Sequence, residues 1–192
     1  MNLPNKLTTL RIILIPIILL LFFNPLFNST MSFFDVQFTL NELVILFLFC
    51  LASITDLLDG QIARKHNLIT TFGKFMDPIA DKLLVNTMFY LFTVSNQIHP
   101  IFFLLMFFRD IVVDGIRMLA ASKGTVIAAG NLGKLKTVLQ MFAIIMLALK
   151  NIGFSQLNIP MDTILVVGAT IISVISGIQY VYSAKELILE SI

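Results

Sequence analysis

Six long apolar segments constrain this chain more than any other feature of its sequence. They cover residues 7–27, 40–64, 75–96, 100–122, 133–150 and 160–184. Each is close to the roughly 20 mostly apolar residues that a transmembrane helix needs. Only 12% of the residues are charged, whereas a soluble domain carries about a quarter. The sequence therefore predicts an all-α integral membrane protein with about six transmembrane helices.

Turn and breaker residues separate the segments, for example His99-Pro100, Gly130-Asn131 and Pro160. No Gly/Ser linker or charge block marks a second domain, so we expect one domain over 1–192. Lysine and arginine collect beside alternate loops, and the loops near 24–40 and 96–100 contain none. By the positive-inside rule, both termini should lie in the cytoplasm, with the protein in the cell membrane.

Several classes of function are disfavoured. The net charge is only +2, which suggests no nucleic-acid surface. Cys50 is the single cysteine, so no thiolate metal cluster is available. The two histidines, His66 and His99, lie at predicted loops and offer no histidine metal site.

Six acidic residues fall inside the predicted spans, although an ionised carboxylate at mid-membrane costs at least ~2.5–3.5 kcal/mol. With ~1.5 Å of rise per residue, Asp56 and Asp59 lie ~24 and ~28 Å along the second helix, in a core of ~30 Å. Asp77 and Asp81 lie within ~5–11 Å of the same cytoplasmic edge. The other two, Asp110 and Asp114, are on the fourth segment.

The faces of the two helices agree with these depths. Asp56 and Asp59 are spaced i, i+3, and Gly73, Asp77 and Asp81 are spaced by four. Four oxygen ligands without Cys or His favour Mg²⁺, Mn²⁺ or Ca²⁺, and one or two such ions would relieve the repulsion. The alternative is that the aspartates form buried salt bridges, with candidate partners Arg64, Lys74 and Lys82.

These residues belong to a longer pattern, Asp56-x-x-Asp59-Gly60-x-x-Ala63-Arg64, then eight residues, then Gly73-x-x-x-Asp77-x-x-x-Asp81. It resembles the signature of the CDP-alcohol phosphatidyltransferase family at all eight fixed positions. The segments 1–8, 73–83 and 133–137 are similar to those of bacterial members that make phosphatidylglycerol phosphate. The resemblance implies six transmembrane helices with a metal site on the cytoplasmic side.

The resemblance also implies a reaction and its residues. The donor would be CDP-diacylglycerol, the acceptor sn-glycerol 3-phosphate, and the products phosphatidylglycerol phosphate and CMP. A homodimer is expected. Two divalent ions, Mg²⁺ or Mn²⁺, would bind the four aspartates, and Asp81 would also be the general base. The CDP part of the donor would be held by Asn5, Thr8, Gly60, Ala63, Arg64, Thr70 and Gly73.

A dianionic acceptor needs basic residues, and arginine can grip phosphate with two hydrogen bonds. The candidates are Arg109, Arg117, Lys134 and Lys136. Alternatively, Asp110 and Asp114 neutralise the arginines, and the lysines only orient the helices.

Other functions stay open. The acceptor could be serine, an inositol phosphate or phosphatidylglycerol. A cation transporter is a further alternative, although transport sites lie near mid-membrane on broken helices. A purely structural membrane protein with salt-bridged helices would leave the glycines unexplained.

Overall fold

A computed structural model of the chain describes residues 2–27, 29–33, 36–65, 70–125 and 130–189, without the side chains of 3–4, 57–65, 71–72 and 74. The chain is mostly helical and forms two compact units, Met1–Leu91 and Phe92–Ile192. The expectation of a single domain over 1–192 stays a prediction.

The first unit contains three long helices and a short hairpin. In chain order these are α1 (Leu3–Phe23), β1 (Thr30–Phe33), β2 (Val36–Thr39), α2 (Leu40–Lys65) and α3 (Thr71–Val94), whose last turn passes the unit boundary. The Asn2 side chain caps α1 by accepting a hydrogen bond from the Asn5 backbone N–H at 3.3 Å. This cap satisfies a donor that the helix start leaves without a partner, so α1 begins before its apolar run does.

Two contacts show that α1 and α2 are antiparallel. The Asn41 side-chain amide, near the start of α2, donates to the carbonyl of Leu21 near the end of α1 at 2.7 Å. Arg11, earlier in α1, contacts Asp56 later in α2 at 2.9 Å. The residue numbers therefore rise along one helix as they fall along the other.

The contacts between α1 and α3 show the opposite relation between the helix directions. Thr8 bonds Asp77, and Arg11, one turn further along α1, contacts Asp81, one turn further along α3. α1 and α3 are therefore parallel, and the three helices alternate in direction like consecutive membrane spans. The end of α2 and the start of α3 consequently lie together, as the depth estimate predicts.

The hairpin between α1 and α2 differs from the sequence prediction of a plain loop. β1 and β2 pair antiparallel, with Thr30 opposite Thr39 and Phe33 opposite Val36. Threonine, phenylalanine and valine favour strands, and Phe38 is almost fully buried. The segment is too short and polar to be predicted as a transmembrane span, so the sequence analysis assigns it to a loop.

The second unit contains α4 (Pro100–Ser122), α5 (Asn131–Ala148), a 3-10 turn (Ser155–Leu157), α6 (Met161–Ser183) and α7 (Lys185–Leu189). Its helices also alternate. Contacts of Asp110 with Lys136 and of Met106 with Gln140 make α4 and α5 antiparallel. His99, expected in a loop, caps α4 by accepting a hydrogen bond from the Ile101 N–H.

The exterior of both units is rich in large apolar side chains, including Leu20, Phe47, Phe108 and Ile178. Among the described residues, three helices are long and apolar enough to cross a membrane: Asn5–Phe23, Asn131–Ala148 and Met161–Ser183. The six predicted segments all form helices whose ends differ from the predicted ones by at most four residues.

Candidate active site

One face of α1 carries polar residues although the rest of the helix is apolar. Asn5, Thr8 and Arg11 follow each other at intervals of three, which places them on one stripe. All three are buried, and Arg11 has a relative exposure of 0%. Each meets a different part of the first unit, so this stripe organises the site.

Asn5 and Thr70 form a polar corner around Gly73. The Thr70 hydroxyl donates to the Asn5 side-chain oxygen at 2.8 Å and accepts from the Gly73 N–H at 3.0 Å. A Cβ at Gly73 would lie 3.3 Å from an oxygen of each of these two residues and 3.4 Å from Asp77 Oδ2. Gly73 therefore lets three oxygen-bearing side chains approach one point of the backbone.

Asp77 is held by the next residue of the α1 stripe. The Thr8 hydroxyl donates to Asp77 Oδ1 at 2.5 Å, joining α1 to α3. Since Asp77 Oδ2 is the oxygen near Gly73, the two carboxylate oxygens have distinct surroundings.

Arg11 joins the carboxylates of two helices through a single nitrogen. Its Nη1 lies 2.9 Å from Asp56 Oδ1 on α2 and also contacts Asp81 Oδ1 on α3. The two carboxylate side chains remain 29% and 38% exposed, whereas the arginine side chain is fully buried. The structure thus brings Asp56, Asp77 and Asp81 to one end of the first unit, each contacting α1.

The other predicted residues of this site fall outside the described side chains: Asp59, Gly60, Ala63, Arg64 and Lys74. His66 also lies outside the described residues. The salt-bridge alternative had named Arg64, Lys74 and Lys82. Asp56 and Asp81 form ion pairs with Arg11, which that alternative did not name, while the side chains of Arg64 and Lys74 are not described.

Among the described side chains, which do not include that of Asp59, no group of three or more His, Cys, Asp or Glu is placed to hold a metal. The donor chemistry nonetheless fits a hard divalent cation. Two carboxylate oxygens from α2 and α3 already converge on one cationic nitrogen, that of Arg11. Oxygen-only ligands are those that Mg²⁺ and Mn²⁺ prefer.

A second charged cluster lies in the second unit, between α4, α5 and α6. Lys136 Nζ lies 2.5 Å from Asp110 Oδ1, and both side chains are 6% exposed. Arg109 Nη1 lies 2.9 Å from the same oxygen, while its Nη2 donates to the Ser176 hydroxyl at 2.6 Å. Asp110, whose role the sequence left open, is therefore shared by two of the four candidate acceptor residues.

Arg109 reaches Ser176 because α6 has no side chain at Gly177. A Cβ there would lie 2.7 Å from Arg109 Cγ, which is too close. The other two acceptor candidates are exposed. Arg117 lies over the Tyr180 ring, 5.5 Å from its centroid, and Lys134 is near the start of α5.

Sequence reasoning missed two side chains that contact the candidate residues, Arg11 and Ser176. The signal that could have found Arg11 is its position inside an apolar run, three residues after Thr8 and six after Asn5. Ser176 is a small polar residue in a long apolar helix beside Gly177, and its sequence neighbourhood gives no comparable signal.

Comparisons with known proteins agree in pointing to one family. The family described as CDP-alcohol phosphatidyltransferase matches residues 1–178. A Bacillus subtilis protein named CDP-diacylglycerol–glycerol-3-phosphate 3-phosphatidyltransferase is 37% identical over 93% of this chain and 93% of its own length. A Rickettsia typhi protein of the same name is 41% identical over 96% of this chain and 97% of its own. The same name is carried by a Mycoplasma pneumoniae protein, 41% identical over 76% of this chain and 66% of its own.

Proposed function

This chain belongs to the CDP-alcohol phosphatidyltransferase family, and we propose that it transfers the phosphatidyl group of CDP-diacylglycerol to sn-glycerol 3-phosphate. The products are phosphatidylglycerol phosphate and CMP. This reaction is a step in the synthesis of anionic phospholipid. The observation that carries this proposal is the convergence of Asp56, Asp77 and Asp81 on one stripe of α1. These are three of the four acids in the motif that resembles the family signature.

The membrane is part of the proposed site. We propose six transmembrane helices with both termini and the active site on the cytoplasmic side of the cell membrane. The alternating directions of α1, α2 and α3 support this, because they put Asp56 and Asp77 at one end of the unit. A lipid donor carries its pyrophosphate at headgroup level, where acids near a membrane edge can meet it.

Two divalent ions, Mg²⁺ or Mn²⁺, are the proposed cofactor, held by Asp56, Asp59, Asp77 and Asp81. Such ions would offset the charge on the pyrophosphate and on the leaving CMP. The partly exposed carboxylates of Asp56 and Asp81 are accessible to a cation from water, which supports this assignment.

The polar corner at Gly73 is the proposed cradle for the CDP part of the donor. Asn5, Thr70 and the Gly73 backbone already form a hydrogen-bonded set at the start of α3. The absence of a side chain at Gly73 leaves backbone within reach of a phosphate or ribose. Thr8 and three residues without described side chains, Gly60, Ala63 and Arg64, complete the proposed donor site.

Asp81 is the proposed general base. It would accept the proton of the acceptor hydroxyl as that oxygen forms a bond to the phosphorus carrying diacylglycerol. The bond from this phosphorus to CMP breaks, and CMP leaves with the bonding electrons. Arg11 contacts one oxygen of Asp81, so the carboxylate is oriented before the acceptor arrives.

The acceptor phosphate is assigned to Arg109, Arg117, Lys134 and Lys136. Arg109 and Lys136 both contact one oxygen of Asp110, so two cationic side chains lie close together in this cluster, which supports the assignment of an anion to it. We further propose a homodimer, by resemblance to the family, and no nucleic-acid partner.

The direct test is to incubate purified protein with CDP-diacylglycerol and a panel of alcohols, and to measure CMP. We expect sn-glycerol 3-phosphate to release CMP fastest, glycerol to be poor because it lacks a phosphate, and EDTA to stop the reaction until Mg²⁺ or Mn²⁺ is added. Equal rates with serine or inositol 1-phosphate would overturn the acceptor, and full activity in EDTA would overturn the metal.

A further inference from the structure

Arg11 is a permanent positive charge buried inside the first unit. The guanidinium stays protonated in proteins, so burial cannot be relieved by losing a proton. Its relative exposure is 0%. A charge in such a place is costly unless carboxylates compensate it, and compensation here comes from Asp56 and Asp81.

The contact geometry gives Arg11 a specific influence on the site. A single nitrogen, Nη1, meets Oδ1 of Asp56 on α2 and Oδ1 of Asp81 on α3. The arginine thereby sets the spacing between one proposed metal ligand and the proposed base. It also opposes the mutual repulsion of the two carboxylates before any ion is present.

We propose that Arg11 is a positioning residue that preorganises Asp56 and Asp81 for the divalent cation and for proton transfer. This inference rests on the proposed function, since it assigns Arg11 to that same site. Outer groups that orient metal ligands typically contribute 10–100-fold to metal affinity or activity. Arg11 acts through the two aspartates and has no assigned contact with either substrate.

The neighbouring residues of α1 make this role specific to Arg11. Thr8 and Asn5 reach Asp77 and Thr70 through neutral side chains, whereas Arg11 alone of the stripe brings a charge. Its long side chain spans from α1 to two helices, and its planar group can hold two oxygens at a fixed separation. Lysine carries the same charge on a flexible stem and would restore attraction with less control of geometry.

The test compares Arg11→Gln and Arg11→Lys with a matched control, Lys6→Gln, which removes an exposed charge from the same helix. Mn²⁺ binding is measured by electron paramagnetic resonance of the free ion in purified protein without substrate. We expect Arg11→Gln to weaken Mn²⁺ binding about 10–100-fold, Arg11→Lys to recover part of the loss, and Lys6→Gln to match the unmodified protein. Unchanged or tighter binding in Arg11→Gln would overturn the proposal, because Arg11 would then be irrelevant or would compete with the metal.

A kinetic arm separates positioning from general structural support. At saturating Mn²⁺, Arg11→Gln should lower kcat while the KM for CDP-diacylglycerol changes little. In an Asp81→Asn background, adding Arg11→Gln should lower kcat by less than about threefold more, because its main partner in the chemistry is already gone. Full additivity would overturn the assignment.

Thermal unfolding in mild detergent verifies that each variant is folded. Asp56 and Asp81 are partly exposed and can be solvated when the arginine is lost, so Arg11→Gln should still fold. If Arg11→Gln does not fold, Arg11→Lys is compared with Lys6→Gln in the same way. The Mn²⁺ arm needs no acceptor, so failure of the proposed acceptor reaction and failure of this inference give different results.

Discussion

Each unit contains a cluster of ion-paired side chains, and the two clusters differ in whether an arginine or a carboxylate is the shared residue. In the first unit one arginine, Arg11, meets two carboxylates, Asp56 and Asp81. In the second, one carboxylate, Asp110, meets two cations, Arg109 and Lys136. Each cluster links three alternating helices. The first cluster thus has one cation between two acids, and the second has one acid between two cations.

The clusters also differ in their access to water. The carboxylates of the first unit are 29% and 38% exposed, whereas Asp110 and Lys136 are each 6% exposed. Accessible carboxylates suit a cation that must arrive and be exchanged. A buried group of ion pairs contributes more to holding helices together. We therefore expect mutations in the first unit to affect turnover most and those in the second to affect stability most.

The largest effect is expected at Asp81. Asp81→Asn removes the proposed proton acceptor but keeps one oxygen, so kcat should fall by roughly 10²–10⁴-fold while CDP-diacylglycerol binding stays near normal. Asp77→Asn should lose both turnover and CDP-diacylglycerol binding, since Asp77 also borders the Gly73 corner. Donor binding and kcat are measured separately. Loss of donor binding in both variants alike would show that Asp81 is only a ligand.

Next in size is the loss of the shared carboxylate in the second unit. Asp110→Asn leaves Arg109 and Lys136 buried without their counter-charge, and breaking such a pair costs about 3–5 kcal/mol. Unfolding in detergent, followed by circular dichroism, measures the change. Glu186→Gln, at an exposed position of the same unit, is the control and should be neutral. Near-normal stability of Asp110→Asn would contradict the expectation that mutations in the second unit mainly affect stability.

A smaller effect is expected where Arg109 crosses α6. Gly177→Ala places a Cβ 2.7 Å from Arg109 Cγ and should cost about 1–3 kcal/mol, because the arginine must move away from Ser176. Gly168→Ala is the matched control, since no described atom beyond its own stretch of helix backbone lies within 4 Å of a Cβ placed there. That change should be neutral or stabilising through helix propensity. Equal unfolding temperatures for the two variants would contradict the described packing.

The smallest effect is expected at Arg117, which is exposed and contacts Tyr180 through its hydroxyl at 3.4 Å and through its ring. Arg117→Ala should raise the KM for sn-glycerol 3-phosphate about tenfold, equivalent to ~1.4 kcal/mol, with little change for the donor. Steady-state kinetics with each substrate varied in turn test this. A larger rise for the donor would place Arg117 elsewhere in the reaction.

The sequence predicted the helices well because a long apolar run determines both membrane affinity and helix length. Their ends were less certain, since polar caps such as Asn2 start a helix outside its apolar run. The hairpin before α2 was missed because its strands are only four residues each. Helix depth and periodicity predicted that Asp56, Asp77 and Asp81 lie at one end of the helices, as they do. The contribution of Asp59 stays a prediction.

The partners of the buried charges were harder to predict. Periodicity says which residues share a face of one helix, but not which face of another helix it meets. Arg11 and Asp81 are 70 residues apart, and only the packing of α1 between α2 and α3 brings them together. Likewise Asp110 pairs with Arg109 on its own helix, as the neutralising alternative expects, but it also bonds Lys136 on α5, which periodicity within α4 does not predict.

The position of Arg11 has a consequence for how the protein is made. In the proposed arrangement of six spans, α1 is synthesised before α2 and α3, so its arginine meets the bilayer before Asp56 and Asp81 are in place. Until those residues arrive, the arginine must draw water or lipid phosphate to itself at a cost of a few kcal/mol. The first helix thus enters the membrane as an incomplete part, and its commitment to a final depth should follow the insertion of the third.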